Sequence, residues 1–221
     1  MDTMPMEVKS SPTARPRAGR PPRAQQEQRH EELLNIALEI FMEHGFERTT
    51  IEEIVTRVGM SKRTVYARYK DKAALFEATV RRAIERYTLP IEALEEVATD
   101  DLEETLMAVA RLRIANMATP NATRLQRILS AQSYRFPELF DTAFREGVGP
   151  TIEFLCDVFR RHDALGEIAV PEPLRAAVAF LSLAVSGTAR VIVSGSILAP
   201  DDIEESLKFA VGLFLDGVRC R

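Results

Sequence analysis

Apolar residues fall at helical spacing along nearly the whole chain. Leu33, Ile36, Ala37, Ile40 and Phe41 mark the buried stripe of a first helix over residues 29–44, which Gly45 stops. Phe46 follows as a plug for the core. Ile51, Ile54, Val55 and Val58 mark a second helix. Thr50 and Glu53 open it as a T-x-x-E capping box, hydroxyl and carboxylate each satisfying a free amide, and Gly59 closes it. Ser61 is the N-cap of a third helix, short and polar, anchored by Val65. A longer one runs from Lys72 to Tyr87, with Leu75, Phe76, Thr79, Val80, Ala83 and Ile84 along it. Its stripe extends beyond what a three-helix core covers, so it also touches a second domain. Pro90 and the acids after it mark a hinge.

The remainder shows no strand-like alternation, so the fold class is all-α. Leu102, Leu106, Val109 and Leu112 belong to a helix over 101–117, broken by Thr119-Pro120-Asn121. A short helix spans 122–130, another starts at Phe136-Pro137-Glu138, and residues 147–150 interrupt it. Pro150 opens a helix with Ile152, Leu155, Cys156 and Phe159 on one side, ending near Gly166. Pro173 starts an Ala/Val/Leu-rich helix to about Ser194, and Pro200 the last one, to about Val218. Between Ala176 and Ala189 lie fourteen uncharged residues, too short a run to span a bilayer and suited to a buried helix.

Charge changes the picture at the N-terminal end. The 221 residues carry a net charge of −4, yet residues 1–87 hold 16 Lys and Arg against 13 acids, and residues 88–221 hold 13 against 20. A basic unit on an acidic body fits localised contact with DNA. The excess concentrates where the third helix lies: Arg57, Lys62, Arg63, Arg68, Lys70 and Lys72 face one acid, Asp71, with Tyr66 and Tyr69 among them. One helix packs and the next offers donors, which is helix-turn-helix chemistry. The bland alternative is a solvated basic face on an ordinary three-helix unit.

The stretch T-T-I-E-E-I-V-x-x-V-G-M-S-K-R-T-V-Y-x-x-Y-K-D-K-x-x-L resembles the DNA-binding signature of TetR-family regulators, over about residues 29–80. Tyr69 stands where that family more often has Phe. S-Y-R-F-P-E-L, in the middle of the chain, resembles the C-terminal domain of AefR- and AcrR-like members. The resemblance implies a homodimer with an N-terminal three-helix helix-turn-helix DNA-binding domain and a C-terminal helical ligand-binding and dimerisation domain. The expected divisions are a disordered basic arm at 1–23, the DNA-binding domain at 24–87 and the regulatory domain at 88–221. Lys62, Arg63 and Thr64 are the expected base readers, behind Ser61. Thr49, Thr50, Tyr66 and Lys72 match family positions that meet phosphate, and Tyr69 can add its hydroxyl. In the arm, A-G-R-P-P-R resembles an AT-hook core, with Arg20 laid in a minor groove; a tail that only meets phosphate is the alternative.

For the effector, Leu106, Val109, Arg113, Met117, Tyr134, Phe136, Phe140, Phe154 and Val158 are the candidate lining of a pocket, against the alternative that they are simply core. For the dimer, small residues on the penultimate helix permit close approach, and the last helix is apolar around much of its girth. Leu183, Gly187, Leu207, Ala210 and Phe214 are the candidate interface; the alternative is two interior helices of a monomer.

Catalysis finds no constellation. His30, His44 and His162 are scattered, and there is no G-x-S-x-G or phosphate-binding glycine loop. No enzyme activity, metal or cofactor is expected. Cys156 and Cys220 make no C-x-x-C and read as buried free thiols. The first thirty residues lack an apolar core segment, so the expectation is a cytoplasmic protein with no membrane partner. The expected function is a ligand-responsive repressor that binds a pseudo-palindromic operator as a homodimer. Alternatives are an effector-independent regulator or activator, and a scaffold that uses the three-helix unit to bind protein.

Overall fold

The computed structural model describes residues 23–196 and 198–219. Among them the chain is helical, with one isolated antiparallel bridge between Ile168 and Arg219. The order is α1 (Arg23–Arg48), α2 (Ile51–Val58), α3 (Lys62–Tyr66), α4 (Lys72–Tyr87), α5 (Ile91–Glu96) and α6 (Leu102–Ala118). Then come α7 (Pro120–Gln132), α8 (Pro137–Gly147), α9 (Gly149–Ala164), α10 (Pro173–Leu181), a π-turn (Ser182–Ser186), α11 (Gly187–Ser194) and α12 (Pro200–Val218). Of the arm expected at residues 1–23, residues 1–22, Arg20 included, lie outside the described residues, as does Cys220, and Arg23 opens α1.

Gly45 interrupts α1 as expected, with φ 77° and ψ 167°, a backbone state that a Cβ would strain. One more turn continues to Arg48 before Thr50 caps α2. Two apolar cores result. The N-terminal core joins α1, α2, Val65 and the α4 stripe, but it also takes in Leu125, Ile128 and Leu129 from α7, and Phe136 and Leu139 around α8. Phe136 was expected in the effector pocket. It instead completes an aromatic cluster with Phe41, Phe46 and Phe76, ring centroids 5.0–6.1 Å apart. The cluster ties the middle of the chain to the helices that carry the basic face. The C-terminal core gathers α5, α6, α9, α10, the π-turn and α12 around Leu106, Val109, Leu155, Phe159, Phe180 and Phe214.

The Ala/Val/Leu-rich helix is continuous from Pro173 to Ser194, 22 residues, and is long and apolar enough to cross a membrane by length and composition. The apolar helix is therefore longer than the fourteen-residue run between Ala176 and Ala189 indicates. Its inward residues instead join the C-terminal core: Ala177, Phe180, Leu181, Ala184 and Val185 are all buried there. The π-turn explains how the apolar face stays aligned. In an α-helix residues four apart drift around the axis, whereas the wider π-turn keeps Leu181, Val185 and Ala189 all inward.

Candidate nucleic-acid interface and effector cavity

α2 and α3 meet at a tight turn that local chemistry dictates. Thr50 accepts from the amide of Glu53 at 3.2 Å. The reciprocal half of the expected capping box is absent: the Glu53 carboxylate pairs with His44 Nδ1 at 2.9 Å. Gly59 takes the left-handed conformation, φ 70° and ψ 36°, and Met60 N–H returns to the Val55 carbonyl at 3.0 Å. Ser61 Oγ then caps α3 by accepting from Thr64 N–H at 3.1 Å. Val65 is the buried residue of α3, so Lys62, Arg63, Thr64 and Tyr66 all face solvent. A five-residue helix held by one apolar anchor presents its N-terminal residues outward. The Arg63 guanidinium makes no hydrogen bond or ion pair among the described residues. Lys62 pairs with Glu52, whose carboxyl is held below its ordinary pKa by that contact. Of the two cations at the tip of α3, Lys62 is thus held by Glu52 and Arg63 is free among the described residues.

The match to known proteins decides what this face belongs to. Residues 33–79 match the model of bacterial regulatory proteins of the tetR family, and residues 104–217, over half of the chain, match the AefR-like transcriptional repressor C-terminal domain. The chain belongs to the TetR family of transcriptional regulators. The TetR-family fold recurs in solved structures. One, a TetR-family regulator from Mesorhizobium loti, superposes with TM-score 0.73 over 89% of this chain and 99% of its own, at 22% identity, which shows the fold alone. The flavonoid-responsive regulator FrrA superposes with TM-score 0.71 over 88% and 99%, at 28% identity. Among curated relatives, the HTH-type transcriptional repressor ComR of Escherichia coli is 31% identical over 41% of this chain and 42% of its own. An HTH-type transcriptional regulator of Mycobacterium bovis is 30% identical over 51% and 52%. The chain spans about half the length of the curated relatives it matches.

Three residues expected at phosphate in this TetR-family chain are engaged internally. Thr49 is fully buried and donates its hydroxyl to the Gly45 carbonyl at 2.8 Å. Lys72 Nζ donates to the carbonyls of Phe46, Glu47 and Thr49 at 2.8, 3.2 and 2.9 Å, which uses all three ammonium protons. It also stands 4.5 Å from the Phe46 ring centroid. Its task is to gather the carbonyls at the end of α1, a C-terminal cation at a helix end. Tyr69 is buried, and its hydroxyl meets His30 Nε2. The sequence offered a signal for Lys72 and Tyr69 only in their position after α3; the partners lie 23 to 39 residues away.

His30 sits at this junction with its pKa lowered by burial and by the Arg68 charge, against an opposing pull from Glu31. The unfolded chain therefore binds a proton that the fold resists, so stability rises with pH through that window. His30's contribution is complete above the ordinary value of 6.5 and is lost as pH falls below it. Thermal melts at pH 7.5 and 5.5 should show a larger fall for the natural chain than for His30→Gln. Equal falls would remove His30 as the cause.

The residues expected to line an effector pocket do not gather around one cavity. A cavity of about 280 Å³ lies between α4, α6, α7, α8 and the α10–α11 helix. Of the nine expected lining residues, Arg113 and Met117 face it. Leu106, Val109 and Val158 are fully packed core, and Phe154 packs against that core. Tyr134 and Phe140 are exposed to solvent, and Phe136 belongs to the aromatic cluster. The cavity is closed instead by Ile84, Tyr87 and Thr88 at the end of α4, and by Leu125, Leu129, Ile152 and Leu181. Exposed lining residues Phe144, Val178, Ser182 and Ser186 mark its mouth.

The apolar face of the last helices is also turned from expectation. Leu207, Ala210 and Phe214 are buried within the protomer, Phe214 against Phe159 and Phe180 at 5.4 and 5.3 Å. The exposed apolar residues are Leu174, Val178 and Leu183 on the penultimate helix and Phe209 and Leu213 on α12. Gly187 is exposed with them. The stripe with the longest apolar run satisfied the protomer's own core first.

Proposed function

We propose that this chain is a ligand-responsive repressor that binds a pseudo-palindromic operator as a homodimer in the cytoplasm. The unit at 24–87 reads DNA and the rest, 88–221, holds the effector and the partner. The observation that supports this most is the exposed basic tip of α3, fixed by Gly59, Ser61 and Val65 and left with an unengaged Arg63. Arg63 and Thr64 read base edges in the major groove, Lys62 joins them on leaving Glu52, and Thr50, Ser61 and Tyr66 flank the phosphates. Two copies meet through Leu183, Gly187, Phe209 and Leu213, a patch whose small residue permits close approach and whose large ones are otherwise wet. An effector in the cavity presses on Ile84, Tyr87 and Thr88, and so on α4, which carries the reading heads. It releases the operator only by preferring the spread arrangement. No catalytic step or cofactor enters this function.

Arg63→Ala should cost about 1–3 kcal/mol on the operator and relax one base position. Lys72→Ala should lower folding stability by about 1.5–3 kcal/mol, since it strips a charged donor from three carbonyls. Its salt dependence of DNA binding should match the natural chain, whereas loss of a phosphate contact lowers the slope by about one. Binding isotherms at several salt concentrations, with denaturant unfolding of both variants, separate the two roles. An Arg63→Ala chain with full operator affinity and specificity would refute α3 as the reading helix.

A further inference from the structure

Among the described residues Arg113 is the one cationic side chain lining the cavity, and its situation is unusual for a charge. It is 6% exposed, and its Nη1 donates to the Gly147 carbonyl at 3.0 Å. Its Nε is buried and has no hydrogen-bond partner. Among the described residues the cavity lining contains no aspartate or glutamate. Burial alone pushes the guanidinium's pKa below its ordinary value, with no carboxylate acting on it. A guanidinium nonetheless keeps its proton in proteins, so the charge stays. An unpaired buried charge is costly, and a structural arginine at such a site is ordinarily matched by a carboxylate.

The rest of the lining is mostly apolar: Ile84, Leu125, Leu129, Val148, Ile152 and Leu181. Asn116 commits one of its amide protons to the Tyr87 carbonyl at 3.2 Å, and Arg113 is the charged donor at the cavity wall. At about 280 Å³ the space lies at the small end of ligand sites. We propose that the cavity binds a small, mainly apolar carboxylic acid, whose carboxylate meets the free edge of Arg113 and whose body fills the apolar wall. Arg and carboxylate are matched in shape as well as charge, because parallel N–H donors meet two oxygens. The proposal deepens the reading of this cavity as the effector site and rests on it. It also supplies a route for the signal. A carboxylate on the free edge of Arg113 pulls on a guanidinium that Nη1 ties to Gly147, at the junction of α8 and α9, close to Thr88 at the end of α4.

The test uses the full chain without DNA. Octanoate and cinnamate are titrated in calorimetry, each beside its neutral amide, octanamide or cinnamamide, which has nearly the same shape. The expected result is that at least one acid binds, at least tenfold more tightly than its amide. Arg113→Met should abolish that preference, and Arg113→Lys should keep part of it. Ligand-free melting gives a readout that a purely structural arginine would not pass. Removing an unpaired buried charge should leave the melting temperature of Arg113→Met unchanged or raised. The proposal is overturned if neither acid binds at millimolar concentration, if the amides bind as tightly as the acids, or if Arg113→Met melts well below the natural chain. The same acids are then added to the operator complex. Binding without release would sink the effector reading while the acid site stands; release with no preference for acid would do the reverse.

Discussion

Phe136→Ala is expected to lower the unfolding free energy by about 3–5 kcal/mol, among the largest effects of a single truncation in this chain. The ring is 5% exposed and stands 5.2 Å from Phe46 and 5.0 Å from Phe76, so its loss leaves a cavity in the DNA-binding core. The residue belongs by sequence to the other half of the chain, just ahead of α8. Its removal should therefore also loosen α8 from α4 and weaken the proposed coupling between effector and operator. Arg135→Ala, one residue earlier, is the control. Arg135 pairs with Glu47 and lies 4.5 Å from the Phe46 centroid, but both partners of the ion pair are exposed. Its loss should cost no more than about 1 kcal/mol. Denaturant unfolding of the two variants gives the comparison directly. A Phe136→Ala chain within about 1 kcal/mol of the natural one would mean that the cluster carries little of the link.

Leu213→Asp should convert the proposed dimer to folded monomers and remove operator binding. The side chain is 52% exposed in the protomer, and Phe209 beside it is 72% exposed, so a carboxylate there costs the single chain little. In the proposed two-fold interface the same charge would be buried twice without a partner, a penalty of about 3–5 kcal/mol for each uncompensated charge. Phe214→Asp should behave differently. Phe214 is 9% exposed and packs on Phe159 and Phe180, so its substitution should unfold the C-terminal core itself. Sedimentation and melting together distinguish a folded monomer from an unstable chain. A Leu213→Asp protein that remains dimeric at micromolar concentration would move the interface away from this face.

Much of the fold was legible because its signals are local. Thr50, Gly59 and Ser61 fix α2, the turn and α3 within a dozen residues, and Asp71 caps α4 through the amide of Ala74. The basic face could be read from the same span. The internal duties of Lys72 and Tyr69 could not, because their partners come from α1, well away in sequence; Thr49 turns inward to Gly45, four residues back, which periodicity alone does not show. Periodicity likewise marked Leu106, Val109, Leu207 and Phe214 as apolar without saying which cavity or partner they meet. A stripe buried in the protomer and a stripe buried in a dimer have the same spacing. Only the packing of α9 and α10 against α12 separates Phe214 from Leu213. Phe136 misled for a related reason: it sits in the regulatory half by position and in the DNA-binding core by contact.

Selection of bound duplexes from a random pool, followed by titration of the winner at several salt concentrations, tests the DNA-reading dimer most directly. The expected result is one enriched pseudo-palindrome, bound by two protomers, with affinity that falls steeply and linearly in log salt as counterions are released. An Arg63→Ala pool should lose preference at one position in each half-site. A pool that stays random, or a selected site with no two-fold relation and no salt dependence, would contradict it.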